Sequence, residues 1–500
     1  MNFKVFDKII IRSFYCLFSW NFKLLGGFMS ENKYQYFLEH FTGQLPLGEA
    51  FDLVERQIVI GGRHGRLYFV DGLSDSEKLQ LLFNFLLAVP EDRMQKVENT
   101  EQFVAELFPF INSSIETDID AAVKFLYSGL SPIILDGFDK IIVADTRRYP
   151  QRGVEEPEKE KTLRGPKDGF TENFMDNLGL IRRRIRDNRL IFEKYTVGEK
   201  SRTDVAVCYM KGAADTDLVQ RVEKGLSEIV VDSVSIGDQT IVEQLITNLT
   251  GGKRRWRLNP FPKVRYTQRP DIISAHLTEG KIALVIDNSP TVVLIPVGIF
   301  DFTQDVDDYY FPLITGNYLR ILRIFNMLVI LLLTPIYLLI VEGDIPPPGD
   351  MDFITPKDPY ALSVFWQFIL LELAIDGLRL ASLNTPESLG MSLSVIGALI
   401  LGEFSVDSGW FIPQTILMMA VVSLASFTQP SIELSYGVKF IRLLMLIGAM
   451  LFGVAGLIGA LLLGMLQVAI TKTLSGHSYL YPLIPFKWSA LKKLIFRTAK

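Results

Sequence analysis

Glu372, Asp376 and Arg379 follow one another at helical spacing inside FILLELAIDGLRL, a stretch otherwise built of apolar residues. At 3.6 residues per turn the three fall within roughly 60° of one another, so one helix face carries them all. The other faces carry Phe368, Ile369, Leu370, Leu373, Ile375 and Leu378. A charge at the centre of a bilayer costs at least about 2.5–3.5 kcal/mol, so such a face must meet protein or water rather than lipid. One chemistry that needs this arrangement is a cation pathway or gate. The competing readings are an internal salt bridge that holds a helix bundle together, or an amphipathic helix lying at the membrane surface. Asp376 and Arg379 can pair at i,i+3, which would leave one excess negative charge. Glu403, at the end of the next apolar segment in GALILGEFSVDSG, joins the candidate path or gate as a weaker member.

Other chemistry finds little support. The four histidines are scattered with no partner at metal or nucleophile spacing, and two cysteines far apart give neither a disulfide framework nor a zinc site. No catalytic set, metal site or cofactor is expected, and the chain is read as a non-enzyme. RGPKDGF, at 164–170, has glycines and cations but departs from the phosphate-loop pattern. With 51 basic against 56 acidic residues the net charge is -5, which argues against nucleic acid as a partner.

The elements that would position the charged helix divide the 500 residues into two halves. Up to about residue 320 apolar runs are short and charges common; beyond it long apolar runs dominate. The expected architecture is an α/β cytoplasmic domain, made of two related subdomains of short strands and helices, followed by an α-helical multi-pass membrane domain. The boundaries are placed at 46–150 and 151–315 for the subdomains, 316–475 for the membrane domain and 476–500 for a basic tail.

IVIGGRHGRLYFVDGL, PIILDGFDKIIVADTR and KIALVIDNSPTVVLIPV each read as two strands around a turn. Ser74 and Glu77 fit a capping box ahead of a helix, and Leu218, Val222, Leu226 and Ile229 mark one face of another. A polar segment near 148–169 reads as the linker between subdomains. Residues 1–45 form an extension in which translation starts at Met29 or an amphipathic helix meets the membrane surface; both readings stay open.

Apolar segments fall near 321–341, 363–382, 389–402, 411–428 and 440–470, which gives four to six crossings. The last is too long for one straight span and carries five glycines. Arg320 and Arg323 at the start of the first segment place the soluble half in the cytoplasm, and Lys439 with Arg442 mark another cytoplasmic edge. Two basic clusters in the soluble half, Arg182, Arg183 and Arg184, and Arg254, Arg255 and Arg257, suit anionic lipid headgroups or acidic surfaces of neighbouring subunits. A solvated helix face or loop accounts for them equally well.

Three blocks carry a resemblance to a known family. TLRGPKDGFTENFMDNLGLIRRRIRDNRL resembles an R-G-P-x-x-G-F…N-L-x-L-[IL]-R-R-R signature. FPKVRYTQRPDIISAHLTEGKIALVIDNSPTVVLIP resembles a P-x-V-x-Y-T-x-R-P-D…E-G block. TPESLGMSLSVIGALILGEFSVDSG resembles a T-P…G-A-L-[IL]-[IL]-G-E-x-A-V membrane block, with Ser405 where alanine is usual. Together they resemble the GerA-type spore germination proteins, A subunit, over roughly residues 50–490. The resemblance implies an integral protein of the spore inner membrane, a homo-oligomer that releases cations from the spore core. It also implies partnership with other germination proteins, a lipoprotein or a transporter-like subunit among them. The alternative it leaves is a nutrient receptor A subunit or a scaffold that binds partners without conducting ions.

Overall fold

The computed structural model describes residues 33–110, 112–148, 153–157, 160–232, 237–252, 259–349, 352–356, 359–384 and 405–496, with Gly397 and Gly402 between the last two. The chain divides into two compact units, residues 1–151 and 152–500.

The first unit holds a five-stranded antiparallel sheet of order β1-β2-β4-β5-β3. Its strands are β1 (Leu53–Ile60), β2 (Arg63–Val70), β3 (Ser113–Glu116), β4 (Ser131–Leu135) and β5 (Ile141–Ala144). β1 and β2 turn on Gly61 and Gly62, both at positive φ, which glycine adopts without steric cost. Period-2 alternation sends Ile133, Leu135, Ile142 and Ala144 to one face, against Leu79, Leu82 and Leu86 of α1 (Ser76–Leu87). It sends Ile134, Ile141 and Val143 to the other, against Ala122 and Leu126 of α2 (Ile119–Tyr127) and Phe37 and Phe41. The α1 cap differs from the expected Ser74–Glu77 box. Asp75 is the N-cap and its carboxylate accepts from the Glu77 and Lys78 amides, because Ser74 lies one residue too early and its hydroxyl donates to the Gly129 carbonyl.

The second unit repeats the order as β6-β7-β9-β10-β8. The strands are β6 (Leu190–Val197), β7 (Thr203–Met210), β8 (Arg265–Thr267), β9 (Ile282–Ile286) and β10 (Val292–Ile295). One face packs α4 (Thr216–Ser227), through Leu218, Val222 and Leu226, and α5 (Gly237–Leu249). The other packs α3 (Phe174–Arg184) and α6 (Pro270–Thr278). Its apolar cluster continues through Phe261, Phe302 and Tyr479 into Ile330, Ala425, Val438 and Val468 of the helices that follow. This sheet face is therefore the floor of the helical bundle.

On the α4 side, β6 presents Glu193, β7 presents Tyr209 and α4 presents Glu223. Burial and a hydrogen bond to Glu193 push the Glu223 carboxyl up to about 7, while hydroxyl donation from Tyr209 and Tyr195 holds Glu193 below its usual range. A raised acid binds its proton more tightly in the folded state. Its stabilising contribution is complete below the unfolded pKa and fades as pH rises through about 7. Thermal unfolding of the purified chain from pH 5 to 8 should show a falling midpoint. Glu223→Gln, which keeps a donor for Glu193, should flatten that dependence.

The segment expected to be a linker at 148–169 is tied down in its second half. Arg269, whose side chain is 1% exposed, donates to the carbonyls of Glu160 and Pro166, to the Thr162 hydroxyl and to the Asp271 carboxylate, all at 2.8–3.1 Å. The Glu160 carboxylate in turn accepts from the Thr267 hydroxyl and the Gln268 amide, each at 2.7 Å, and burial pushes this carboxyl up. The RGPKDGF and TQRPD motifs thus fasten each other. Gly165 adopts φ 114° with the Tyr310 ring over it, and a Cβ would lie 2.6 Å from that ring. Asn177 of the NLGL motif bonds both the amide and the carbonyl of Thr171 at 2.8 and 2.6 Å, fixing where α3 begins.

The bundle comprises α7 (Leu313–Glu342), α8 (Val364–Asn384), α9 (Pro413–Phe427) and α10 (Ile432–Ile470). α7 and α10 are long and apolar enough to cross a membrane. α10 is two helices folded on each other. Gly453 breaks it at φ 58°, ψ -140°, a conformation open to glycine, and Gly448 then faces Gly456 while Gly464 faces Ile441. Each arm is about 25–30 Å long at 1.5 Å per residue, which resolves the excess length of the 440–470 segment into an antiparallel pair. A Cβ on Gly456 would drive into the Gly448 carbonyl, so Gly456→Ala should cost about 1–3 kcal/mol, read as a lower unfolding midpoint in detergent.

Both ends of this hairpin rest on the second unit's domain. Phe261 packs on Gly437, Asn259 donates to the Thr471 hydroxyl at 2.7 Å, and the Tyr479 hydroxyl donates to the Pro262 carbonyl at 2.7 Å. The tip lies beside Asp344 at the far end of α7. The 389–402 segment falls outside the described residues apart from Gly397 and Gly402. Arg320 and Arg323, expected at a membrane edge, are buried at the foot of α7, where both bind the fully buried Asp308. That carboxylate, with Asp305 at 3.9 Å from Arg323, supplies their counter-charge inside the protein.

Candidate functional site

The charged face of α8 meets α10. Phe368 and Leu371 fix the helix in the bundle core beside Tyr337 and Met445, and this turns Glu372 inward. Arg442 reaches Glu372 with two bonds of 2.7 and 2.8 Å and donates to the Ile330 carbonyl of α7 at 3.2 Å. Lys439, one turn earlier on α10, lies 2.7 Å from the same Glu372 carboxylate and also binds Asp376. Glu372 and Arg442 are 8% and 3% exposed, which makes this a buried ion-pair cluster at the junction of three helices.

Arg379 does not pair with Asp376 as the i,i+3 spacing suggested. Its guanidinium donates to the Ser426 hydroxyl of α9 at 2.8 Å and sits 4.8 Å over the Phe427 ring. Asp376 is taken by Lys439, a tertiary partner that helix spacing alone could not supply. The balance is two carboxylates against three cations, so the expected excess negative charge is reversed. Lys439 and Arg442, read as a cytoplasmic edge, are the counter-charges of α8. The signal that could have found them was present: two cations at i,i+3 opening a long apolar run must face a partner as surely as Glu372 does. The cluster surrounds a small cavity of about 20 Å³, also lined by Ser423, Ser426 and Tyr436. That is room for one or two waters. Glu403 lies outside the described residues.

The basic clusters separate in the same way. Arg182 stacks on Phe192 at 4.5 Å and donates to the carbonyls of Asp187 and Leu190, so its role is to close the turn after α3. Arg184 is paired with Asp168 at 2.5 Å. Arg183 is exposed. Arg254, Arg255 and Arg257 lie outside the described residues.

A family model described as Bacillus/Clostridium GerA spore germination protein matches residues 43–500. Stage V sporulation protein AF of Bacillus subtilis (strain 168) is 35% identical over 470 residues, 92% of this chain and 92% of that protein. Spore germination protein KA of the same organism is 27% identical over 90% of this chain and 82% of its own. Its uncharacterized membrane protein YfkQ is 27% identical over 89% and 85%. The crystal structure of the N-terminal domain of the A subunit of the Bacillus megaterium spore germinant receptor GerK3 is 25% identical, covering 52% of this chain and 92% of that one, with a TM-score of 0.21. The motif blocks at 162–190, 261–296 and 385–409 all lie within the matched span. The chain belongs to the GerA family of spore germination proteins, which are membrane proteins.

Proposed function

We propose that this chain is a subunit of an oligomeric, cation-conducting channel that releases ions from the spore core. The bundle spans the inner membrane and the soluble half faces the core. The observation that carries the reading is the Glu372–Arg442–Lys439–Asp376 cluster, set among three apolar helices. In the arrangement described both carboxylates are paired and the space beside them has room for only a water or two, which is a closed gate. Withdrawal of α10 would uncover two negative charges and admit a cation in place of Lys439. Both ends of α10 rest on the soluble domain, so movement of that domain is the lever. Homo-oligomers would supply a shared axis, and other germination proteins, a lipoprotein or transporter-like subunit among them, would act on it.

A second reading has its own support. Pairing of both carboxylates is also what a structural lock needs, and a receptor A subunit or a scaffold would use it so. Cation flux from liposomes separates the two. A gate predicts that Lys439→Gln raises resting flux several-fold and that Glu372→Gln or Asp376→Asn alters selectivity, with the oligomer mass unchanged. A scaffold predicts no flux from any of them, and a mass that shifts when the cluster is broken.

A further inference from the structure

The loop that precedes α3 and the turn that follows it enclose an open pocket lined by Pro166, Lys167, Asp168, Arg183, Arg184 and Arg186. Its volume, about 460 Å³, is that of a small-ligand site. Four cations and one carboxylate line it. Arg184 is committed to Asp168, and Lys167 reaches Glu156 from an exposed position. Among the described residues Arg186 donates only to the Arg183 main-chain carbonyl, and the Arg183 guanidinium, whose charge helps hold the Asp168 carboxyl below its usual range, makes no hydrogen bond. The pocket is therefore net positive, with two arginines whose planar forks are open to an anion. Arginine suits phosphate oxygens, which it can bind bidentately.

The pocket's position selects the source of that anion. Its wall is the loop that carries Gly165, and the other side of that loop packs on Tyr310, three residues before α7 begins. Around the foot of α7, Ile314 is 84% exposed and Tyr318 61%, and Leu313 and Tyr309 are exposed beside them. Apolar and tyrosine side chains bared at the base of a membrane helix mark the headgroup level. We propose that the Lys167–Arg183–Arg186 pocket binds the phosphate of an anionic phospholipid whose chains lie along the foot of α7.

This inference rests on the membrane placement of the bundle and is independent of ion conduction, because lipid retention is read without flux. A variant that keeps its lipid yet conducts nothing removes the channel and leaves the pocket. The full chain in neutral detergent would be titrated with dioleoyl phosphatidylglycerol and, separately, dioleoyl phosphatidylcholine. Bound lipid is counted by native mass spectrometry. Wild type should retain at least one phosphatidylglycerol that phosphatidylcholine does not replace. Arg183→Gln with Arg186→Gln should weaken that binding about tenfold or more. The exposed Lys167→Gln should weaken it less, and stands alone if the double variant yields no folded protein. Equal retention by wild type and variants would overturn the proposal. Displacement of the lipid by millimolar inorganic phosphate would overturn the lipid as the source. A changed oligomer mass with unchanged lipid would overturn it in favour of an acidic protein surface.

Discussion

Glu372→Gln should destabilise the bundle by about 3–5 kcal/mol, the cost of leaving a buried cation without its counter-charge. Arg442 would keep the Ile330 carbonyl, at 3.2 Å, and at most a neutral amide oxygen at 372, and its Nε already lacks a partner among the described residues. Arg442→Gln should cost less, because Lys439 stays 2.7 Å from the Glu372 carboxylate. The double variant should recover most of the loss, since two facing amides can bond each other and no net charge stays buried. Thermal unfolding in detergent of wild type, both single variants and the double variant closes the cycle. A coupling below about 0.5 kcal/mol would mean that the pair is spectator to the fold. Asp376→Asn should cost less, because Asp376 is more exposed than Glu372 and Lys439 retains Glu372.

Arg269→Gln is the second large effect, again about 3–5 kcal/mol. One guanidinium joins α6, the RGPKDGF loop and the Asp271 carboxylate, and a shorter amide reaches at most one of these. The loss should appear locally first. Lys161, Arg164 and Lys167 are exposed trypsin sites on the loop that Arg269 holds, and cleavage there should speed up about tenfold or more as the loop frees. Arg269→Lys should behave like Gln rather than like wild type, because an ammonium cannot span the separated acceptors. Unchanged cleavage would show that Glu160, with Thr267 and Gln268, suffices to hold the segment.

The features legible in the sequence were those set by local rules. The short strand-forming runs in IVIGGRHGRLYFV and KIALVIDNSPTVVLI, each with a turn between, are enough to define a hairpin, because strand propensity and turn chemistry are properties of neighbouring residues. The Leu218–Val222–Leu226 face of α4 is of the same kind. The charged face of α8 was visible too, since a helix at 3.6 residues per turn must bring positions 372, 376 and 379 together. Family membership followed from motifs that the sequence spells out.

What local rules do not contain is the identity of the partner across space. Asp376 has Arg379 at i+3 and takes Lys439, 63 residues away. The polar stretch at 160–168 has the composition of a linker, yet a single arginine a hundred residues later pins it. The glycines of 440–470 announced a break or close packing. Only the pairing of Gly448 with Gly456 and of Gly464 with Ile441 makes the segment a hairpin. The sequence by itself determined the classes of element, the charged helix face and the family. The tertiary structure decided how those charges are neutralised, because the cost of a buried ion depends on which counter-ion the fold places within about 3 Å of it.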